Sequence, residues 1–505
     1  MELWECEMKQ KRKENIKLLS VVVIFATIIT KILGLLRELM ISGALGASPE
    51  SDAYNISYML VITIFGLFSS AYSNSLVPTV AKLYSNEKKK LNAVVSSIVT
   101  ISVIFTLLIV IAMHIAPRAF VFILASGAEE GTIAIAVKLI KISSWSLIAL
   151  ILGSAYGIIL MVFDKNIAPS LANIVFPIPI LILLLSGCIS VNTLILGVVV
   201  GYFAQTFILM LCTRSTSFRY RLGINWRSKY IYDFFAMMPP MLVSSGLLQI
   251  NTLVDNQVAS RFGVGSVTAL QQASKVNTLA YTVFSTALMQ IIYAKLTKAY
   301  AKGDKDAFSQ MVKQQVKLIL FFIVPCAMII PLYSEEIIEM LFLRGNYTIE
   351  AAKIAGSILK GYGVGLIIFI LRDIFVYIYY SAQNSKFPSV VNCIAVGVNV
   401  ILNLFLSHCM GIKGIAYATS LSACVSLLIL AIFAKKKVMP IKIIEKRDAV
   451  NIGVAAVICF FFLKITKLLV ANHNVWLNVL PFIGGFFIYW AIIILEEKLF
   501  RKNEA

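Results

Sequence analysis

Residues Leu18–Leu36 read LLSVVVIFATIITKILGLL, an apolar run broken by a single lysine and preceded by the basic leader Lys9–Lys13. A helix of about 20 such residues crosses the roughly 30 Å hydrocarbon core of a bilayer. A cleaved signal segment has a shorter apolar core and a small-residue cleavage site, so this stretch is expected to stay as a first transmembrane helix. Similar runs recur along the whole chain. With 505 residues, 59% hydrophobic side chains and a mean hydropathy of +0.87, the sequence is too apolar for a water-soluble domain. Lipid admits only helices or closed barrels, because every backbone polar group must be satisfied internally. The runs are continuous rather than alternating, which excludes a barrel.

Working outward, polar punctuation places helices at 16–46, 55–84, 91–115, 134–163, 167–187, 192–213, 233–260, 267–299, 314–333, 350–382, 387–407, 412–434, 448–470 and 475–497, about fourteen spans in all. The net charge of +20 first means basic loops retained in the cytoplasm, and no nucleic-acid partner is expected. The loops alternate accordingly. Asn86–Lys90, Arg214–Lys229, Lys295–Lys317 and Lys435–Arg447 are basic, whereas Pro49–Asp52, Glu129–Glu130 and Glu335–Glu339 are acidic. An even number of spans with that alternation puts both termini of a multi-pass membrane protein in the cytoplasm.

The chain is also duplicated. Pro169-Ser170-Leu171-Ala172-Asn173 returns as Pro388-Ser389-Val390-Val391-Asn392, and Ser42-Gly43-Ala44-Leu45-Gly46 followed by Ala81-Lys82-Leu83 returns as Ser260-Arg261-Phe262-Gly263 followed by Ala294-Lys295-Leu296. The expected architecture is an all-α polytopic membrane protein with two pseudo-symmetric six-helix lobes plus two C-terminal helices. Its segments are a leader at 1–15, an N-lobe at 16–214, a basic linker at 215–231, a C-lobe at 232–434, a second basic linker at 435–447, and the last two helices with their tail at 448–505. Transporters built from repeats carry substrate where the repeats meet.

Charges inside the bilayer are costly and default to functional candidates. Lys31, Arg37 and Glu38 lie in the first span, Asp52 opens the second, Asp255 is late in the seventh, Lys275 is in the eighth, and Lys360, Arg372 and Asp373 are in the tenth. One reading makes Lys31, Arg37, Lys275 and Arg372 a cationic lining for an anionic head group, since guanidinium and ammonium groups bind phosphate oxygens. The other makes them internal pairs, Arg37 with Glu38 or Asp52 and Arg372 with Asp373, which fix helix packing. Lys138 and Lys141 sit near a helix start and are expected to snorkel. Asp255 is the candidate for coupling to Na⁺ or H⁺; the alternative is a helix-end carboxylate paired with a neighbour.

No enzyme is expected. His114, His408 and His473 lie near helix ends without metal spacing, the eight cysteines show no CxxC pair and read as small core residues, and no Walker-type glycine loop is present.

Several of these residues carry a resemblance. Thr30-Lys31-Ile32-Leu33-Gly34-Leu35-Leu36-Arg37-Glu38, Gly46-Ala47 through Asp52-Ala53-Tyr54, Leu341-Phe342-Leu343-Arg344-Gly345-Asn346-Tyr347-Thr348, and Tyr380-Ser381-Ala382-Gln383 through Pro388 stand in the order of motifs of the MurJ/MviN lipid II flippases. The chain resembles that family, within the multidrug/oligosaccharidyl-lipid/polysaccharide exporter superfamily, through most of the first twelve spans. The resemblance implies a flippase that moves lipid II, an undecaprenyl-diphosphate-linked muropeptide, through a V-shaped cavity between the lobes. Membrane lipids and cell-wall synthesis proteins would be its partners. It makes Arg37, Asp52 and Lys275 the counterparts of family cavity residues. It also makes Asp255, Asn399, Asn403 and Thr419 the counterparts of a Na⁺ site held by some relatives. The family's second-helix basic pair falls at Phe65-Gly66, its A-D-R becomes Ala273-Ser274-Lys275, and the aspartate of its F-Y-A-x-x-D falls at Asn384 or Ser385. Another lipid-linked glycan, an envelope-synthesis scaffold and a cation-coupled drug exporter are the alternative functions.

Overall fold

The computed structural model describes residues 2–187, 189–226, 228–303, 305–438, 444–470 and 479–503, and its regular structure among them is helical throughout. The first half contains α1 (Glu2–Leu45), α2 (Pro49–Asn86), α3 (Lys88–Ile115), α4 (Pro117–Ala125), α5 (Glu130–Ser143), α6 (Ser146–Val162), α7 (Ile167–Val175), α8 (Ile178–Leu185) and α9 (Val191–Thr213). After α10 (Lys229–Ala259) follow α11 (Ser266–Ala301), α12 (Lys305–Leu332), α13 (Ser334–Phe342), α14 (Ile349–Ser381), α15 (Lys386–Met410), α16 (Lys413–Lys437), α17 (Lys446–Val470) and α18 (Val479–Asn503). The chain divides into two compact units, Met1–Leu253 and Val254–Ala505. Among the described residues nine helices are long and apolar enough to cross a membrane, ten if the bent pair α5–α6 is one span.

Local chemistry sets the helix starts. Ser48 caps α2 by accepting from the Ser51 N–H at 3.2 Å, with Pro49 at the first position and Glu50 and Asp52 in the first turn. Thr348 caps α14 in the same way, accepting from Ala351 N–H at 3.3 Å with Glu350 behind it. A hydroxyl acceptor and early carboxylates satisfy the unpaired N–H groups and the positive end of a helix dipole.

Four expectations change. The span at 134–163 is two helices, α5 and α6, bent by 40°. The span at 167–187 is broken into α7 and α8 at Pro177, whose ring cannot continue the helical ladder. Each half also contains a short helix that the apolar runs did not reveal, α4 and α13, because nine residues are too few to register as a span. Finally, the cysteines are not uniformly interior: Cys459 is buried, but Cys393 and Cys409 on α15 are exposed, and Cys188 lies outside the described residues. An outward thiol is at home in an environment that accepts apolar groups. The last expected span, 475–497, is described only from Val479, so its first turn lies outside the described residues.

The exposed faces are apolar, the reverse of a water-soluble bundle. On α3, Ile104, Phe105, Leu108, Ile111 and Ile115 point outward while Val95, Ile98, Val99 and Val110 are buried. Helical spacing thus separates a lipid face from a protein face. In the first unit, Tyr72, Leu76, Ile98, Ile159, Leu209 and Phe234 belong to one core between α2, α3, α6, α9 and α10. In the second, α14 approaches α16 so closely that a Cβ at Gly365 would lie 2.2 Å from Ser420 Oγ, while Ser420 Oγ donates to Gly361 O at 2.8 Å. Small residues permit such contact between helices in lipid.

The last two helices pack on α12. Pro325 lies inside α12, and having no N–H it leaves the carbonyl of Phe321 without its helical donor. Trp490 Nε1 of α18 donates to that oxygen at 3.0 Å, and Tyr489 donates to the neighbouring Leu320 O at 3.2 Å. Ion pairs form near the two ends of α17: Lys313 and Lys317 of α12 pair with Glu445 and Asp448, both at 2.9 Å, and Lys467 of α17 pairs with Glu336 of α13 at 2.6 Å.

Candidate functional site

Two clusters of intramembrane polar groups stand out, one in each unit. In the first, Arg37 of α1 is 6% exposed. Its guanidinium lies 5.4 Å from the Tyr58 ring centroid and 5.0 Å from that of Phe176, so rings from two other segments flank it. Phe176 stacks on Tyr202 at 4.1 Å, and the Tyr58 and Tyr202 hydroxyls are 3.4 Å apart. Gly201 makes this stack fit, because a Cβ there would lie 2.3 Å from the carbonyl oxygen of Phe176. Nη2 of Arg37 donates to Glu38, whereas Nε and Nη1 are buried with no hydrogen-bond partner.

That arrangement combines both readings of Arg37. The Glu38 pair offsets part of the charge, the rings contribute a cation–π attraction, and two donors remain unmet at a cost of roughly 1–3 kcal/mol each. Anionic oxygens are the ligands that such donors take up most favourably. Asp52 is buried at the start of α2, where its N–H bonds Ser48 O at 3.0 Å. Lys31, by contrast, is exposed on α1 among the outward side chains Ile28, Ile29 and Ile32. The helix face it occupies separates it from Arg37.

The second cluster joins residues far apart in sequence. Asn403 Nδ2 of α15 donates to Asp255 Oδ1 at 2.6 Å and to Asn399 Oδ1 at 3.0 Å. Asn399 Nδ2 in turn donates to Thr419 Oγ1 at 3.3 Å and to Ser422 Oγ at 3.5 Å on α16. Asn399 and Asn403 lie one helical turn apart, so both amides share a face of α15. Asn399 and Asn403 are 1% and 0% exposed, and Asn403 Oδ1 has no hydrogen-bond partner. A half-buried carboxylate held by an amide N–H, in a cluster that also carries amide and hydroxyl oxygens, has the donor chemistry of a hard monovalent cation or a proton. Among the described residues no group of three His, Cys, Asp or Glu side chains is placed to hold a metal ion.

Elsewhere in the second unit Arg372 is paired. Its Nη2 and Nε donate to Asp373 Oδ1 at 2.8 and 3.1 Å, and Tyr281 donates to the other carboxylate oxygen. Arg372 and Lys275, half-buried on α11, do not join the Asp255 cluster. His114 Nδ1 donates to Val110 O, 2.9 Å away, in the last turn of α3, and His473 lies outside the described residues. At Phe65-Gly66 there is no basic pair, and a Cβ at Gly66 would lie 2.6 Å from Gln249 Nε2, so α10 occupies that space. Tyr58, Phe176, Tyr202 and Tyr281 were not read as site residues. Their side chains are ordinary aromatic members of apolar runs until the fold gathers them around a charge.

Comparison with known proteins agrees with this architecture. The family model "Lipid II flippase MurJ" matches residues 41–486. A probable lipid II flippase MurJ of Thermotoga maritima is 26% identical over 78% of this chain and 80% of its own length. One from Buchnera aphidicola is 23% identical over 91% of each. Among solved structures, lipid II flippase MurJ in an inward closed conformation superposes with a TM-score of 0.84 at 24% identity, covering 96% of this chain and all of that one. An inward-facing multidrug resistance MATE transporter of the MOP superfamily gives 0.69 at 12% identity, covering 82% and 97%. Those two likenesses establish a shared fold. The match of the family model over most of the chain establishes descent: the protein belongs to the MurJ lipid II flippase family, membrane transporters rather than enzymes.

Proposed function

We propose that this chain carries lipid II from the inner to the outer leaflet of the bacterial inner membrane by alternating access, with both termini in the cytoplasm. The observation that carries the reading is Arg37, a buried cation flanked by aromatic rings with two nitrogens lacking acceptors, in a member of the MurJ family. A lipid-linked diphosphate supplies the anionic oxygens that those nitrogens lack. Lys275 is the second cation for the diphosphate, Asp52 helps position the first, and Lys31 and Arg372 are peripheral to binding. The lobes 16–214 and 232–434 would rock against each other, with 448–505 riding on the second.

Asp255, Asn399, Asn403 and Thr419 form the coupling site, with Na⁺ as the preferred ion and a proton as the alternative. A cation held there would link a gradient to the transport cycle. Each elementary charge moved across the membrane is worth about 2.3 kcal/mol per 100 mV, so charge translocation can bias the cycle without ATP.

A second reading, transport of another undecaprenyl-diphosphate glycan, is favoured by Gly66, where Gln249 fills the space of a side chain. One experiment separates the two. Bacteria depleted of their own lipid II flippase would express this chain or its Arg37→Ala variant, and lipid II in the outer leaflet would be measured. Exposure restored by the parent and lost in the variant supports the proposal. Absence of rescue by a well-inserted parent protein rejects lipid II as cargo and favours the other glycan.

A further inference from the structure

A polar cavity of about 500 Å³ opens in the first unit, lined by Lys82, Glu87 and Lys90 from the α2–α3 corner and by Asn225, Lys229 and Tyr230 near the start of α10. It is separate from the Arg37 cluster. Its wall is strapped in place by the linker that follows α9. Ser97 Oγ donates to Gly223 O at 3.2 Å and accepts from Asn225 N–H at 3.0 Å, Ser96 Oγ accepts from Arg221 N–H at 2.9 Å, and Asn92 Oδ1 accepts from Arg219 N–H at 3.0 Å. The lining is therefore preformed.

Its charges are unevenly compensated. Glu87 is engaged twice, by Lys90 at 2.7 Å and by the Tyr230 hydroxyl at 2.8 Å. Those bonds hold its carboxyl below the usual carboxylate range. Lys82 lies over the Tyr230 ring, 5.6 Å from its centroid, and among the described residues neither Lys82 nor Lys229 forms an ion pair. Asp233 is the remaining acidic group of the lining. Furthermore, α3 and α10 both begin here; the start of α3 has Glu87 at its N-cap position, whereas α10 has no acidic residue in its first turn. The positive end of α10 thus opens with Lys229, a placement that a bound anion favours.

The surroundings indicate where the anion comes from. Leu222, Trp226 and Tyr232 beside the cavity are 89%, 70% and 75% exposed. Amphipathic aromatic rings at such exposure mark the headgroup level of a bilayer. We propose that this cavity binds a phosphate ester, the headgroup of an anionic membrane lipid, between Lys82 and Lys229.

The test uses the full chain in neutral detergent, titrated calorimetrically with short-chain phosphatidylglycerol, short-chain phosphatidylcholine and inorganic phosphate. The parent should bind phosphatidylglycerol in preference to phosphatidylcholine. A lysine near an anionic surface contributes roughly a fivefold preference, so Lys82→Gln with Lys229→Gln should weaken phosphatidylglycerol binding about thirtyfold. Lys82→Arg with Lys229→Arg should retain it, which guards against a mere folding defect. Lys353→Gln with Lys360→Gln, exposed lysines of α14, should leave it unchanged. An equal loss in that control pair, or equal affinity for the two lipids, overturns the proposal. Binding of inorganic phosphate without selectivity for phosphatidylglycerol assigns the cavity to a soluble phosphate and overturns the lipid assignment.

Discussion

Replacing Asn403 with leucine keeps the branched heavy-atom skeleton of the side chain but removes both polar atoms beside Asp255. In the structure the Asn403 amide donates to the Asp255 carboxylate at 2.6 Å and presents a buried Oδ1 without a partner. That oxygen is the atom free to contact a cation; a polar contact to a charged group is worth about 1.5–3 kcal/mol, and losing it weakens cation binding about 10- to 150-fold. Sodium at 100 times the parent dissociation constant stabilises the folded protein by about 2.7 kcal/mol; with the weaker site the same concentration gives only about 0.3–1.4 kcal/mol. The assay is thermal unfolding of purified protein across a sodium titration, with choline maintaining ionic strength. The readout is the sodium-dependent increment, which cancels any general destabilisation by leucine. A parent with no response beyond choline, or a variant with the parent's midpoint, refutes the assignment of this cluster as a sodium site.

Two further substitutions probe the fold that carries the sites. Gly201→Ala would place a methyl 2.3 Å from the Phe176 carbonyl oxygen; overpacking of this kind costs about 1–3 kcal/mol, and displacement of Phe176 should reduce the ability to restore lipid II exposure in depleted cells even where the protein accumulates normally. Trp490→Phe removes the donor that satisfies Phe321 O; a stranded buried acceptor should lower unfolding stability by about 1–3 kcal/mol, measured in the same detergent as the parent, with an unchanged value refuting the compensation of Pro325.

Much of the architecture was legible because lipid imposes a simple length rule on apolar runs. α2, α3, α9, α14, α15 and α17 start within a few residues of their expected positions except α2, whose cap at Ser48 carries the helix one and a half turns earlier. α4 and α13 escaped because a short amphipathic helix has no length signature. The break at Pro177 was readable in principle from the proline itself, but the uninterrupted hydrophobicity of 167–187 outweighed it.

The candidate sites show a similar limit. Asp255 was visible as an isolated carboxylate, whereas Asn399, Asn403 and Thr419 entered only through the family resemblance, and the fold brings these residues together. The aromatic surroundings of Arg37 were not readable. Tyr58, Phe176 and Tyr202 come from α2, the α7–α8 break and α9, and no spacing in the sequence relates them. Arg372 illustrates the reverse problem, since an intramembrane cation looks equally suited to a ligand until its carboxylate and Tyr281 are seen beside it.

The bond between Trp490 and Phe321 joins residues 169 positions apart, which gives it a meaning in time. A ribosome delivers α12 to the membrane long before it makes α18. Throughout that interval the carbonyl released by Pro325 has no tryptophan to meet it, and the groove on α12 is filled by lipid or by neighbouring chain. Arrival of α18 is thus the event that satisfies this carbonyl, so a chain whose synthesis stops before Val479 ends as an inserted but unfinished protein, a natural substrate for membrane quality control.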